Sequence, residues 1–270
     1  MNYLKHRTHF FVSTDTLAEI LHSSNNLKVI DLRDKRNYSE GHIPNAINIQ
    51  SSLFVKKTAE GFNALPNKEN LENLLRSKGI NCSDNLVFVD DVFNLNCSLA
   101  AWVLYYYGFE SVMLLDGALG KWKKEDRPLD TFVPEYEEGD IKFSKLNSDI
   151  LITRDELLVS LQTNDFVIVD NRSEYALTLD NLGGKIPGAI HYWWMNAFEE
   201  HPDYFVLKDL KTIESELYQK GITRESNVVL YCESAPESAL IFFVLKQLSY
   251  NNVKLYLGGY EEWRLYCSFI

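Results

Sequence analysis

A cysteine between a strand and a helix is the residue best placed to do chemistry. Cys232 follows the short apolar run 228–231, whose length and β-branched content favour a buried strand. Residues 239–248 have the composition of a mostly buried helix. The turn between them gathers backbone N–H groups and the positive end of the helix dipole around the sulfur. Both favour the thiolate, so the spacing predicts a nucleophilic cysteine.

Four short blocks occur twice, in the same order, in the two halves of the chain. They lie at 29–33 and 168–172, at 41–47 and 184–190, at 86–90 and 227–231, and at 115–122 and 256–263. From the third block onward the two copies are aligned at a fixed offset of about 141 residues. A repeat of this length indicates two copies of one domain, because solenoid repeats have much shorter periods.

These blocks resemble the rhodanese (sulfurtransferase) family in its tandem two-domain form, from about Val12 to Trp263. The motifs that carry the resemblance are an Asp-x-Arg after a strand, a Gly-His-Ile-Pro-x-Ala segment, the strand, cysteine loop and helix, and Gly-Gly-Tyr-Glu-Glu-Trp at 258–263. The resemblance implies a catalytic second domain and a first domain that lacks the nucleophile. At the fixed offset, Asp91 corresponds to Cys232, and a carboxylate cannot carry a transferable sulfur atom.

The fold we expect is α/β, with two tandem rhodanese-like domains, each a mostly parallel sheet with helices on both faces. Alternating strand and helix patterns favour the same architecture independently of the resemblance. The predicted boundaries are 1–130 for the first domain, 131–148 for an acidic linker and 149–270 for the catalytic domain. Ligands of such sheets bind at the carboxyl ends of the strands, where Cys232 falls.

The resemblance implies a reaction in two halves. Cys232 takes sulfane sulfur from thiosulfate or 3-mercaptopyruvate, and an acceptor such as cyanide or a thiol then removes it. It implies no metal and no organic cofactor. The loop residues expected to cradle the persulfide are Glu233, Ser234, Ala235, Glu237 and Ser238. Arg172 and Trp194 are candidates for the wall of the pocket.

The loop departs from the family pattern in ways that motivate an alternative function. Ala235 stands where relatives usually have glycine, Glu233 where arginine is frequent, and Glu237 where threonine or a basic residue is frequent. Two carboxylates near a thiolate raise its pKa and repel an anionic donor, unless both point into solvent. Ala176 replaces an arginine that holds the anionic donor in tandem members. The alternative is a binding or persulfide-relay module that passes sulfur to a protein acceptor, with little catalysis on small anions.

Other readings of the same residues are less favoured. No arginine or lysine lies between Cys232 and Lys246, which argues against the phosphatase chemistry of related folds. The Asp-x-Arg pairs are expected to brace loops rather than to act as acid and base.

Charge and composition exclude several classes of partner. The formal net charge is -11, which disfavours binding to nucleic acid or to an anionic membrane. No apolar run approaches the length of a membrane span, and the first residues lack the apolar core of a signal peptide. The four cysteines do not suggest a disulfide scaffold, so we expect a reduced, cytoplasmic protein.

Overall fold

The computed structural model describes residues 9–21, 23–91, 93–178 and 184–267. The strands of the first half are Phe11–Val12 (β1), Leu27–Asp31 (β2), Ile47–Asn48 (β3), Lys56–Lys57 (β4), Asn63–Ala64 (β5), Asn85–Val89 (β6) and Val112–Leu115 (β7). Its helices are Thr14–Ile20 (α1), Lys35–Glu40 (α2), Lys68–Ser77 (α3), Leu95–Tyr106 (α4) and Ala118–Lys124 (α5). A short 3₁₀ turn, Ser51–Leu53, precedes β4.

The second half repeats this series. Its strands are Leu151–Ile152 (β8), Val167–Asp170 (β9), Ile190–His191 (β10), Phe198–Glu200 (β11), Phe205–Leu207 (β12), Val228–Tyr231 (β13) and Val253–Tyr256 (β14). Its helices are Arg154–Thr163 (α6), Glu174–Thr178 (α7), Leu210–Gln219 (α8), Pro236–Gln247 (α9) and Gly259–Cys267 (α10). The 3₁₀ turns Ser148–Ile150 and Trp194–Ala197 precede β8 and β11.

Two five-stranded parallel sheets with the same topology confirm the predicted fold class. The first has the order β1-β7-β6-β2-β3, and the second, in the matching direction, has β8-β14-β13-β9-β10. The outer face of each sheet has its own apolar cluster, which contains Trp122 in the first domain and Trp263 in the second. Each sheet is therefore covered on both faces, because its inner face packs into a larger cluster that the two domains share.

The shared core is built on two helices that are apolar on nearly every side. In α4 and α9 most residues are buried, as expected for helices without a polar face. The rings of Trp102 and Phe242 meet edge to face with centroids 6.4 Å apart. Phe10 of the first domain lies 5.3 Å from Phe243 of the second. This core fixes the first domain against the helix that follows Cys232.

Residues 131–147, which belong to the predicted linker, form no helix or strand and run along the first domain. The N–H of Ile141 donates to the carbonyl of Ile80 at 3.1 Å, and Ile141 and Phe143 are buried. In the described part of the chain, no helix is long and apolar enough to cross a membrane.

The strand registers correct one residue assignment. Asp31 is paired with Val89 in the first sheet, and the equivalent Asp170 is paired with Tyr231 in the second. Val89 is therefore the counterpart of Tyr231, and Asp90 is the counterpart of Cys232. The prediction that Asp91 occupies this position was wrong by one residue, because the turn before α4 is one residue longer than the turn before α9. The replacement of thiol by carboxylate is unchanged.

A partly buried carboxylate at the domain interface predicts a pH-dependent stability. Asp116 follows β7, and its Oδ1 accepts a 2.9 Å hydrogen bond from the N–H of Leu207 in β12. Burial raises the pKa of Asp116 to about 6, whereas an unfolded aspartate titrates near ~3.9. Between about pH 4 and pH 6 the unfolded chain therefore binds fewer protons than the folded one, and stability is lost as the pH rises.

We expect Asp116→Asn to raise the free energy of unfolding at pH 7.5 by about 1–2 kcal/mol, because an amide needs no charge to be desolvated. Urea unfolding from pH 4 to pH 7.5 measures this, with the exposed Asp126→Asn as the control. A less stable Asp116→Asn protein, or an unchanged pH dependence, would contradict the prediction.

Candidate functional site

Cys232 lies immediately after β13 and is fully buried. Its Sγ accepts a hydrogen bond from the N–H of Ala235 at 3.1 Å. Helix α9 begins at Pro236, three residues earlier than predicted, because proline is well suited to a first helical position, where its missing N–H has no partner to lose. The sulfur is therefore directly at the amino end of α9, as the sequence predicted.

Every backbone carbonyl of the loop 232–236 accepts a hydrogen bond from a group outside the loop. The donors are Tyr260 N for Cys232 O at 2.8 Å, Glu261 N for Glu233 O at 3.2 Å, Asn63 Nδ2 for Ser234 O at 2.5 Å, Ala239 N for Ala235 O at 2.8 Å, and Ser98 Oγ for Pro236 O at 3.0 Å. A loop with its carbonyls directed outward can turn its N–H groups toward its own centre. The hydrogen bond from the N–H of Ala235 to Cys232 Sγ shows this inward orientation.

Two of these donors belong to the first domain. Asn63 is in β5 and Ser98 is in α4, where its hydroxyl also lies 2.8 Å from the carbonyl of Leu95. They are 171 and 138 residues from their partners in the chain, so no local pattern in the sequence identifies them. The first domain therefore helps to hold the loop of the second.

Ala235 adopts a backbone conformation that favours glycine. Its φ is +88° and its side chain is completely buried. The resemblance to the family implies glycine at this position, and a positive φ is the conformation that glycine adopts most readily. For an L-residue the left-handed region costs about 1–2 kcal/mol.

The surroundings of Cys232 disfavour the thiolate at rest. Burial raises the pKa of the Cys232 thiol, and the charge of Glu237 raises it further. Hydrogen bonding from Ser238 acts in the opposite direction but does not reverse the shift. The expectation that Glu237 acts on the thiol is thus supported by its position in the first turn of α9.

Glu233 has a different partner. Its carboxylate lies 3.3 Å from Nη1 of Arg172 and is three-quarters buried. Burial raises the pKa of Glu233, and Arg172 counteracts that shift. Glu233 is thus paired with Arg172, whereas Glu237 is the carboxylate that raises the pKa of Cys232.

Arg172 is a buried brace. Its side chain is 1% exposed, and Nη2 lies 2.6 Å from Oδ2 of Asp170 and 2.7 Å from the carbonyl of Gly184. The guanidinium stacks 3.9 Å from the ring centroid of Tyr260, which follows the first residue of α10. It therefore links β9 to the helix that supplies two donors to the loop.

The first domain contains the same brace without a cysteine. Arg33 Nη2 lies 2.7 Å from Asp31 Oδ2 and 2.7 Å from the carbonyl of Gly41. Its Nη1 is 3.5 Å from Asp91, which is the position of Glu233 in the second domain. Because the arrangement persists where no nucleophile exists, it agrees with the expected structural role of the Asp-x-Arg pairs.

Trp194 has aromatic partners in both domains. Its ring packs edge to face against Phe93 of the first domain at 5.6 Å and against Phe198 at 6.1 Å. It is largely buried and belongs to the shared core. The structure therefore assigns Trp194 to the packing between the domains.

A cavity of about 260 Å³ lies between the domains on the outer side of the loop. The second domain contributes Ser234 and Pro236 to it. The first domain contributes Ser51, Ser52, Phe54, Val55, Lys57, Asn63, Asn96, Leu99 and Ala100. Most of these come from 51–64, which contains a 3₁₀ turn and the β4–β5 hairpin. No local pattern in the sequence identifies this wall.

Comparison with known proteins identifies the family. The model of the rhodanese-like domain matches residues 13–125 and again 153–266. Thiosulfate sulfurtransferase of Azotobacter vinelandii is 32% identical over 247 residues, which cover 89% of each chain. The sulfur carrier protein TtuD of Thermus thermophilus is 30% identical over 93% of this chain and 92% of its own. The crystal structure of SseA from Escherichia coli, a 3-mercaptopyruvate sulfotransferase, superposes with a TM-score of 0.81 at 25% identity, covering 93% of this chain and 99% of SseA.

The chain belongs to the rhodanese-like family and contains two copies of its domain. The similarity to named sulfurtransferases over nearly the whole chain confirms the prediction that it is an enzyme of the sulfurtransferase type.

The conformation of Ala235 predicts a steep dependence on side-chain size. Ala235→Val is expected to lower the free energy of unfolding by about 2–4 kcal/mol, because a β-branched residue at positive φ is strained and the Ala235 side chain is fully buried. Ala235→Gly is expected to change it by less than about 1 kcal/mol, since relief of backbone strain offsets the lost methyl group and the more flexible unfolded chain. Urea unfolding of both variants tests this, and equal losses would contradict it.

The contact from Asn63 predicts that the first domain protects the sulfur. Asn63→Ala removes the donor to Ser234 O, and we expect iodoacetamide to alkylate Cys232 about fivefold faster, the factor that corresponds to one hydrogen bond of ~1 kcal/mol. Peptide mass spectrometry measures the rate, with exposed Cys82 as the internal reference and Asn70→Ala as the matched control. An unchanged rate in Asn63→Ala would show that the contact does not restrain the loop.

Proposed function

We propose that this protein is a sulfurtransferase that carries sulfane sulfur as a persulfide on Cys232. The observation that carries the proposal is the position of Sγ at the amino end of α9, where the N–H of Ala235 donates to it. The first domain, with Asp90 at the equivalent position, is catalytically silent and serves as a scaffold. Its own buried thiol, Cys97, lies inside α4, and burial and Asp90 raise the pKa of that thiol.

The proposed cycle uses small donors and a thiophilic acceptor. The Cys232 thiolate attacks the sulfane sulfur of thiosulfate, the S–S bond of the donor breaks, and the electron pair leaves with sulfite. With 3-mercaptopyruvate the C–S bond breaks instead, and the carbon fragment leaves as the enolate of pyruvate and takes up a proton. Cyanide or a thiolate then attacks the outer sulfur and returns the electron pair to Cys232. The inward N–H groups stabilise the anionic persulfide.

The electrostatics of the loop bear on the choice of donor. The pKa of Cys232 is raised and Glu237 is nearby, so a dianion such as thiosulfate meets a neutral thiol and a carboxylate. Both observations favour a donor of lower charge. They also support a second candidate function, a persulfide relay to a protein acceptor, and the similarity to the sulfur carrier TtuD points the same way.

We place the protein in the cytoplasm. The four cysteines are all free, which suits a reducing compartment. The net charge of -11 makes nucleic acid and anionic membranes unfavourable partners.

Intact-protein mass spectrometry tests the proposal. The protein is incubated briefly with thiosulfate, and separately with 3-mercaptopyruvate, alongside Cys232→Ser. A gain of one sulfur atom that is absent from Cys232→Ser and is removed by cyanide would establish the persulfide and identify the better donor. No gain with either donor would reject sulfur transfer from small anions and leave the relay to a protein acceptor.

The raised pKa of Cys232 predicts how the rate of its alkylation depends on pH. Because the thiolate is the reactive form, alkylation by a neutral reagent is expected to accelerate as the pH rises beyond ~8.5, the value of a free cysteine. Glu237→Gln removes a charge that raises this pKa, and we expect it to lower the pKa and to speed alkylation at pH 7.5 several-fold.

Glu233→Gln is the matched control, since that carboxylate is paired with Arg172. It is expected to change the rate by less than about threefold, because it does not act directly on the thiol. An alkylation rate that levels off below pH 8 in the wild-type protein, or equal effects of the two substitutions, would contradict this account of the loop.

A further inference from the structure

A buried serine lies beside Cys232 in the first turn of α9. Ser238 is fully buried and is the polar member of an otherwise apolar set of buried residues that runs from 238 to 245. As the third residue of the helix, it has an N–H group without an intrahelical acceptor. Burial and Glu237 raise the pKa of the Cys232 thiol, whereas hydrogen bonds with the hydroxyl and the N–H of Ser238 lower it.

The hydroxyl of Ser238 has a second partner. Its Oγ donates to Oδ1 of Asn171 at 2.9 Å. The orientation of the Asn171 amide is fixed, because its Nδ2 donates at 2.9 Å to the carbonyl of Tyr192, which can only accept. The amide oxygen therefore faces Ser238, and the hydroxyl must be the donor. Since a hydroxyl has one proton, it cannot donate to Asn171 and to the sulfur at the same time.

The first domain has other residues at both positions. Leu32 occupies the position of Asn171 between the aspartate and the arginine. Cys97 is the third residue of α4, as Ser238 is of α9. Burial and a hydrogen bond with Asp90, the counterpart of the nucleophile, raise the pKa of the Cys97 thiol, so these two positions are in contact in both domains. The domain that has the nucleophile is thus the one with the buried amide and hydroxyl.

We propose that Asn171 is a positioning residue for Cys232, which in the resting protein holds the proton of the Ser238 hydroxyl away from the sulfur. The thiol then donates its own proton to Ser238 Oγ, and a chain of hydrogen bonds runs from the sulfur to the amide. When Cys232 ionises, its proton passes to solvent and the hydroxyl turns from Asn171 to the anionic sulfur. The amide and the thiolate therefore compete for one proton. The inference rests on the proposed function, because it concerns how Cys232 is activated before it takes sulfur from a donor.

The rate at which iodoacetamide alkylates Cys232 as the pH rises tests the inference, with exposed Cys82 as the internal reference. Asn171→Leu introduces the residue of the first domain and frees the hydroxyl for the sulfur. We expect alkylation at pH 7.5 to be about fivefold faster, the factor that one hydrogen bond implies, and the pH profile to move to lower pH. Ser238→Ala is expected to slow alkylation several-fold and to move the profile to higher pH, because a hydrogen bond to a charged acceptor is stronger than the neutral one that it replaces.

A double substitution separates this role from a purely structural one. Without the hydroxyl of Ser238, Asn171 has no proton to hold. Asn171→Leu in the Ser238→Ala background is therefore expected to change the rate by less than about twofold. Asn171→Ala removes the same acceptor without adding volume, so it gives the same test if the leucine variant does not fold. A loosened loop would instead speed alkylation at every pH and equally in both backgrounds, and that result, or slower alkylation of both Asn171 variants, would overturn the proposal.

Ser160 provides the matched control for Ser238. It is a buried helical serine of the same domain, and its hydroxyl donates to the carbonyl of Leu157 at 2.8 Å. Ser160→Ala is expected to leave the alkylation rate within about twofold of the wild-type value, and an effect equal to that of Ser238→Ala would count against the inference. If no persulfide forms on the wild-type protein, the proposed function fails, and the alkylation rates still decide whether Asn171 and Ser238 control the ionisation of Cys232.

Discussion

The site depends on where the carbonyl groups of the loop 232–236 find their hydrogen-bond donors. A tight turn around a sulfur atom can direct N–H groups inward only if its carbonyls are satisfied on the outside. Here the start of α10 supplies two donors, α9 supplies one, and the first domain supplies the side chains of Asn63 and Ser98. The strain at Ala235 persists because these contacts fix the backbone on every side.

The first domain keeps the architecture of the site without its nucleophile. The Asp31–Arg33 pair repeats the buried Asp170–Arg172 pair, and Asp90 O accepts from Leu119 N as Cys232 O accepts from Tyr260 N. A buried ion pair contributes little net stability, but removing one partner leaves the other charge buried and unpaired, which is costly. Substitution of either residue of the Asp31–Arg33 pair is therefore disfavoured even in a domain without the cysteine. The first domain acts on the second through packing and hydrogen bonds, and it forms most of the wall of the cavity.

Much of the fold could be predicted from the sequence because parallel strands buried on both faces form short apolar runs, such as β13. The short helices α2, α5, α7 and α10 were not predicted, since few apolar residues mark them. The counterpart of Cys232 was misplaced by one residue because a single offset was applied to the two halves of the chain. The turn between β6 and α4 is one residue longer than the turn between β13 and α9, so one offset cannot align both sides of the turn. Asn63 could not be found, because its contact with Ser234 joins segments that are far apart in the chain. The position of Cys232 at the amino end of α9 could be predicted because strand, loop and helix are contiguous.

A crystal structure of the protein after brief incubation with the better sulfur donor would show whether Cys232 carries the transferred sulfur. We expect an additional sulfur atom on Cys232 Sγ, within hydrogen-bond distance of inward backbone N–H groups. The carbonyls of Ser234 and Pro236 should still accept from Asn63 and Ser98. An additional sulfur on another cysteine would contradict the account. So would a persulfide on Cys232 in a loop whose carbonyls have turned away from the first domain.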